Sequence, residues 1–183
     1  MRIIGGKYKR RKLNFPILKE IRPATDRLKE TIFNVLGQDM SGLRILDLFA
    51  GMGSLGIEAI SRGAQECAFV DASPLACSYI NTNLRDIGIM DQAEVMNMDV
   101  VEALEKLSAS GTQFDVVFLD PPYNKGLIKK TLPIIDQSDI LCAHGQMVIE
   151  HVRQEALPQT SRLSLTRCKK YGITSLSFLY RLK

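Results

Sequence analysis

Apolar positions recur along the chain with two different periods. Leu28, Ile32, Phe33, Val35 and Leu36 repeat at helical spacing behind Thr25 and Asp26, either of which can cap a helix, and Gly37 stops the pattern. From residue 43 onward, short apolar runs alternate with helical stretches. LRILDLF (43–49), ECAFV (66–70), residues 93–98, FDVVFL (114–119) and GQMVIE (145–150) read as five strands. Residues 56–62, 74–87 and 100–107 read as the helices between them, with Ser73 capping the second, and 126–132 begins the next. Two alternating runs, 163–170 and 173–182, flank Tyr171-Gly172 and predict a closing hairpin. Strands separated by helices predict an α/β fold: a Rossmann-like, doubly wound sheet, mostly parallel, with an antiparallel terminal hairpin. Ahead of it, residues 1–20 alternate apolar and basic positions around Gly5-Gly6. That pattern predicts a short basic arm folded as a β-hairpin, leaving 21–183 as a single domain.

Charge changes the picture of that arm. Residues 1–30 hold ten Lys/Arg against three Asp/Glu, while the other 153 residues hold fourteen against seventeen. The net charge of +4 is therefore concentrated at one end, as expected where a polyanion docks, although a solvated tail has the same composition. Arg2, Lys7, Lys9, Arg10, Arg11 and Lys12 are the candidate phosphate contacts. Lys169 and Lys170, on the closing hairpin, are weaker ones. With 45% hydrophobic residues the chain can bury a full core. It has no stretch of eighteen apolar residues and no apolar segment behind its basic start, so a cytoplasmic protein without membrane span or leader is expected. Cys67, Cys77, Cys142 and Cys168 lie far apart, which suits reduced thiols and argues against a metal site or disulfide framework. His144 and His151 read as structural.

In a doubly wound sheet, ligands bind beyond the carboxyl ends of the strands at the switch point. At that edge the first four strands carry Asp47, Asp71, Asp99 and Asp120. After the first strand, Gly51, Gly53 and Gly56 fit G-x-G-x-x-G, with Asp71 twenty residues beyond Gly51. The pattern suits a dinucleotide, or a tight turn with no ligand. Asp47, however, stands where a pyrophosphate would lie, and like charge there is costly. S-adenosylmethionine carries an ammonium and a sulfonium and no phosphate, so an acid in this loop suits it. For that cofactor the glycines, with Phe49 among them, line the ligand. Asp71 accepts the ribose hydroxyls, and Asp99 lies near the adenine amino group. This is a class I S-adenosylmethionine-dependent methyltransferase reading.

Asp120-Pro121-Pro122-Tyr123 ends the fourth strand. The prolines fix φ and remove two donors, so the carbonyls there are rigidly aimed. Residue 120 is held extended by the proline that follows it. An exocyclic amine has two hydrogens and a lone pair delocalised into its ring. Asp120 and the Pro121 carbonyl can accept both hydrogens and free the lone pair to attack a methyl group, while Tyr123 stacks on the base. Catalysis of this kind is mostly positioning.

RPATDRLKETIFN, LDLFAGMGSLGIEAISRGA, FVDAS and FLDPPY, in this order, with the MRIIGGKYKRRKL arm, resemble the bacterial small-subunit ribosomal RNA guanine-N2 methyltransferases, the RsmD family. The resemblance covers nearly the whole chain. It implies methylation of a guanine N2 with S-adenosylmethionine, on ribosomal RNA within an assembling small subunit, by a monomer. It also implies that Arg22, Thr25 and Asp26 lie near the methionine end of the cofactor, with Asp47, Gly51 and Gly53 lining it. Asp120, Pro121 and Tyr123 would receive the guanine. Asp-Pro-Pro-Tyr occurs too in DNA adenine-N6 and cytosine-N4 methyltransferases, which usually need an added domain to read base edges. A nicotinamide-dependent oxidoreductase, an RNA-binding module that has lost activity and a protein-glutamine methyltransferase are the remaining alternatives.

Overall fold

The computed structural model describes residues 1–15 and 25–183. Its elements follow the order α1 (Asp26–Leu36), β1 (Arg44–Leu48), α2 (Ser54–Ser61), β2 (Glu66–Asp71), α3 (Pro74–Ile87), β3 (Ala93–Asn97), α4 (Val100–Ala109), β4 (Phe114–Leu119), α5 (Leu127–Gln137), β5 (Leu141–Val152), β6 (Leu163–Tyr171) and β7 (Thr174–Arg181). A single 3-10 turn, Met90–Gln92, precedes β3. The seven strands form one sheet in the order β3-β2-β1-β4-β5-β7-β6. The first five run parallel, and β7 pairs antiparallel with both β5 and β6. The strand order reverses between β1 and β4, so the crevice of a doubly wound sheet opens at their carboxyl ends.

The central strands β1, β2 and β4 are buried on both faces, as in parallel sheets, whereas of the edge strands β3 is partly exposed and β6 largely exposed. Alternate residues divide cleanly between two cores. Ile45, Phe69, Phe118 and Val148 pack with Ile32 and Phe33 of α1, Ile57 of α2 and Ile80 of α3. Leu46, Val70, Val117, Leu119 and Ile149 pack with Leu104 of α4 and Leu132 of α5 on the other face. Local signals set the helix ends. Thr25 accepts from Leu28 N at the start of α1, Gly37 ends it, and Ser73 accepts from Ala76 N ahead of Pro74.

Three expectations are revised. β5 begins at Leu141 rather than 145, because the chain continues pairing through an irregularity opposite Phe114 and Val116, where His144 takes φ +66°. The last helix runs through Pro133 to Gln137. The arm forms no regular strands among its described residues: it is an antiparallel loop with one bridge, Arg2 to Lys12, and hydrogen bonds from Ile3 N to Arg11 O and from Leu13 N to Met1 O. Ile3 and Leu13 are buried in the first core, so these residues pack as part of the domain. Gly6 is needed there, since its φ is +72° and a Cβ on it would meet the Ser61 carbonyl, while one on Gly5 would displace the Arg62 guanidinium.

Candidate active site

The turn from β1 into α2 starts the cleft. Phe49, Gly51 and Gly53 all have positive φ (+59°, +55° and +75°), and Gly53 caps α2 without a side chain to offer. Asp47 fills that gap from within the sheet. Its Oδ2 accepts from Gly56 N at 2.9 Å, satisfying one of the free amides in the first turn of the helix. The carboxyl is 2% exposed. Burial pushes it up to about 7, with the Asp71 charge adding to the rise and the Gly56 amide opposing it. Asp47 thus lies behind the glycine loop and does not line the cleft. Gly53 is also behind it, with a prospective Cβ 3.2 Å from Phe69.

The cleft itself measures about 730 Å³. Gly51, Phe49, Asp71 and Asp99 line one part of it, and Asp120, Pro121, Pro122 and Tyr123 another. Asp71 ties two loops together: Oδ2 accepts from Gly51 N and Oδ1 from Ser73 N, each at 2.8 Å. Each oxygen keeps a lone pair for a further donor. Asp99 is the N-cap of α4, accepting from Val101 N at 2.8 Å.

Opposite these, Asp120 follows the last residue of β4. Its burial, with the Glu150 and Asp47 charges nearby, holds the carboxyl well above the usual carboxylate range. Tyr123 Oη donates to Glu150 Oε1 at 2.8 Å and lies 3.1 Å from Thr174 Oγ1. Burial pushes the phenol up to about 12, so it keeps its proton and acts as a donor. The ring is thereby pinned to β5 and β7.

Other expected residues fall into three groups. Thr25 lines the cleft, together with its neighbours Arg27 and Leu28. Asp26 is turned away and pairs with Arg2 at 2.8 Å. Arg22 lies outside the described residues. The six arm cations, Arg2, Lys7, Lys9, Arg10, Arg11 and Lys12, are all exposed. Three of them already have partners in the chain, Arg2 on Asp26, Arg11 on the Asp86 carbonyl and Lys7 over the Tyr8 ring. His151 bonds Ser177 Oγ and the Val152 carbonyl, and His144 bonds Tyr180 Oη. No group of three or more His, Cys, Asp or Glu residues able to hold a metal occurs among the described residues.

Glu150, Thr174, Tyr171 and Arg27 line the cleft without having been singled out from the sequence. Tyr171 Oη is 2.7 Å from Thr31 Oγ1, and the Arg27 guanidinium lies 5.7 Å from the Tyr171 ring centre. Glu150 was legible in principle. It closes the apolar run 145–150, the same signal that marks Asp71 and Asp120, although β5 itself continues to Val152.

The sequence and the fold match a known set of proteins. A family model described as "Conserved hypothetical protein 95" matches residues 1–180. The ribosomal RNA small subunit methyltransferase D of Escherichia coli (strain K12) is 34% identical over 173 residues, which is 94% of this chain and 85% of that one. The chain belongs to this RsmD family. YlbH of Bacillus subtilis (strain 168) is 41% identical over 178 residues, 97% of each chain. The solved structure of yhhF from Escherichia coli superimposes with a TM-score of 0.89 at 30% identity, covering 100% of this chain and 98% of that one. An RNA methyltransferase from Salinibacter ruber, in complex with S-adenosyl-L-homocysteine, shares the fold with a TM-score of 0.68 at 18% identity, over 88% of this chain and 95% of that one.

Proposed function

We propose that this RsmD-family chain transfers a methyl group from S-adenosylmethionine to the exocyclic N2 of a guanine in small-subunit ribosomal RNA. Membership of the family makes it an S-adenosylmethionine-dependent rRNA methyltransferase. The observation that supports transfer to an exocyclic amine is the juxtaposition of Asp120-Pro121-Pro122-Tyr123 with the Gly51 loop, Asp71 and Asp99 in one cleft, and the guanine of ribosomal RNA is supported by the likeness to ribosomal RNA small subunit methyltransferase D. The residues fit the cofactor. Asp71 has acceptor capacity left beyond its two amide partners, and the buried Asp47 carboxyl beneath the loop disfavours a phosphate there and not a cation.

When bound, the cofactor supplies an electrophilic methyl on a sulfonium. The rest is done by the chain. Asp120 and the Pro121 carbonyl hold the two amine hydrogens and turn the nitrogen lone pair toward that methyl. Asp120 would take up the amine proton left surplus by the transfer. Tyr123, held by Glu150 and Thr174, offers a fixed ring for the base to stack on. The exposed cations of the arm contact phosphates, and the substrate is the RNA of an assembling subunit in the cytoplasm, approached by a monomer.

The test is transfer of labelled methyl to naked small-subunit RNA, to subunits lacking the modification and to duplex DNA, with the product nucleoside identified. N2-methylguanine in RNA is expected, and Asp120→Ala is expected to lose transfer while keeping cofactor affinity. N6-methyladenine or N4-methylcytosine in DNA would overturn the substrate assignment.

A further inference from the structure

β4 and β5 run parallel and in register up to Leu119 opposite Ile149. Asp120, the next residue after β4, therefore leaves the sheet beside Glu150, which stays paired with Leu176 of β7. Phe118 and Val148, two positions earlier, both face the first core. The period of two then turns Asp120 and Glu150 toward that same face, where both line the cleft. Tyr123 Oη, donating to Glu150 Oε1, fixes the orientation of the second carboxylate. The nearness of the two acids is also what helps raise Asp120.

The bases differ in how they answer such a pair of acceptors. Guanine presents two adjacent donors on its pairing edge, N1–H and the N2 amine. Adenine presents an amine beside an N1 lone pair, and cytosine an amine beside N3. A carboxylate only accepts when ionised, so it rewards N1–H and repels a bare ring nitrogen. We propose that Glu150 is a specificity-determining residue that reads N1–H of the flipped guanine while Asp120 holds its N2 amine. The inference rests on the guanine reading above. It gives Glu150 a task that the Asp-Pro-Pro-Tyr segment cannot perform, since an amine alone does not separate guanine from adenine.

The test uses 2,6-diaminopurine placed by ligation at the nucleotide that the transfer assay identifies. This base keeps the N2 amine but carries a lone pair at N1. Wild-type kcat/KM is expected to fall roughly tenfold to a hundredfold on the analogue, the discrimination that one base-edge hydrogen bond provides. Glu150→Gln keeps an acceptor for Tyr123 and gains a donor for the bare N1. It is expected to narrow the guanine-to-diaminopurine ratio at least tenfold, with cofactor affinity unchanged. Equal wild-type rates on both bases would overturn the proposal even if the variant fails to fold. An unchanged ratio in a folded Glu150→Gln would also overturn it, leaving Glu150 as an anchor for Tyr123 alone. Failure of wild type to methylate guanine at all would instead sink the underlying functional reading.

Discussion

Lys29 and Glu58 meet in the protein interior, Nζ to Oε2 at 3.2 Å, with both side chains fully shielded from solvent. Glu58 also receives Ile4 N at 2.9 Å, Gly5 N at 2.7 Å and the Arg62 guanidinium at 2.9 Å, and Lys29 donates to the Arg2 carbonyl. One carboxylate thus joins α1, α2 and the arm. Glu58→Ala would strand two buried cations and two amides. Removing one partner from such a cluster costs about 3–5 kcal/mol, or roughly 6–20 °C in Tm for a chain of this size. Lys29→Met should cost less, because Arg62 still faces Glu58. Denaturant titration of the two variants checks both the loss and the order.

The glycine loop separates packing from ligand approach. A Cβ at Gly56 would lie 2.3 Å from Phe69 and 2.6 Å from Cys67, so Gly56→Ala should destabilise by about 1–3 kcal/mol through overpacking. A Cβ at Gly51 meets nothing within 4 Å, though φ there is +55°. Gly51→Ala should therefore cost only about 1 kcal/mol of strain, while weakening S-adenosylmethionine binding, because Gly51 lines the cleft. Thermal melts and calorimetric titration, run on the same two proteins, distinguish the roles.

Asp47 makes stability depend on pH in a definite direction. Its folded carboxyl titrates at about 7, above the ordinary value of 3.8. The stability it contributes is fully present below the ordinary value and is lost as pH rises through about 7. Asp47→Asn keeps an acceptor for Gly56 N and carries no charge to bury. The variant should gain on wild type by about 2–4 kcal/mol between pH 4 and pH 8. Paired unfolding curves across that range check it, and a constant difference would mean that the carboxyl titrates normally.

Asp71→Asn replaces one acceptor oxygen with a donor beside Gly51 N or Ser73 N, each now 2.8 Å from the carboxylate. Cofactor affinity is expected to fall about tenfold to a hundredfold, in line with one charge-assisted hydrogen bond of about 1.5–3 kcal/mol. Calorimetric titration reads that change, and the RNA KM should be unaffected.

Neutralising Lys9, Arg10 and Lys12, which are exposed on the arm, should make binding of RNA less sensitive to salt. The slope of log K against log salt should shrink by about one unit for each phosphate that is no longer neutralised. Binding titrations at several salt concentrations read the slope directly.

The sequence announced elements wherever a local signal coincided with a strong period. Thr25, the stripe through Phe33 and Gly37 delimit α1 without reference to anything distant. Three of the four acids read at strand ends, Asp71, Asp99 and Asp120, line one cleft, and each follows an apolar run. What escaped depends on segments far apart in the chain meeting in space. Residues 1–15 are shaped by Glu58 and Ser61, which no local pattern reveals. The early start of β5 depends on pairing with Phe114 across a bulge. Asp47 was legible as an acid in the loop, but its position behind Gly56 follows from the sheet face that residue 47 occupies. Tyr123 was read as a stacking ring. Its hydroxyl partners, Glu150 and Thr174, come from strands 27 and 51 residues away in sequence.

Those long separations have a consequence for how the enzyme comes into being. Thr174 lies just past the tip of the last hairpin, and Tyr171, beside it, reaches back across 140 residues to Thr31. Pairings of such span form late, because the chain between them must be ordered first. A growing chain that already has the glycine loop, Asp71 and the Asp-Pro-Pro-Tyr wall still lacks the partners that hold the tyrosine in place. Tyr123 meets its Glu150 partner on β5 before the last hairpin exists, and its Thr174 partner only once β7 has been made.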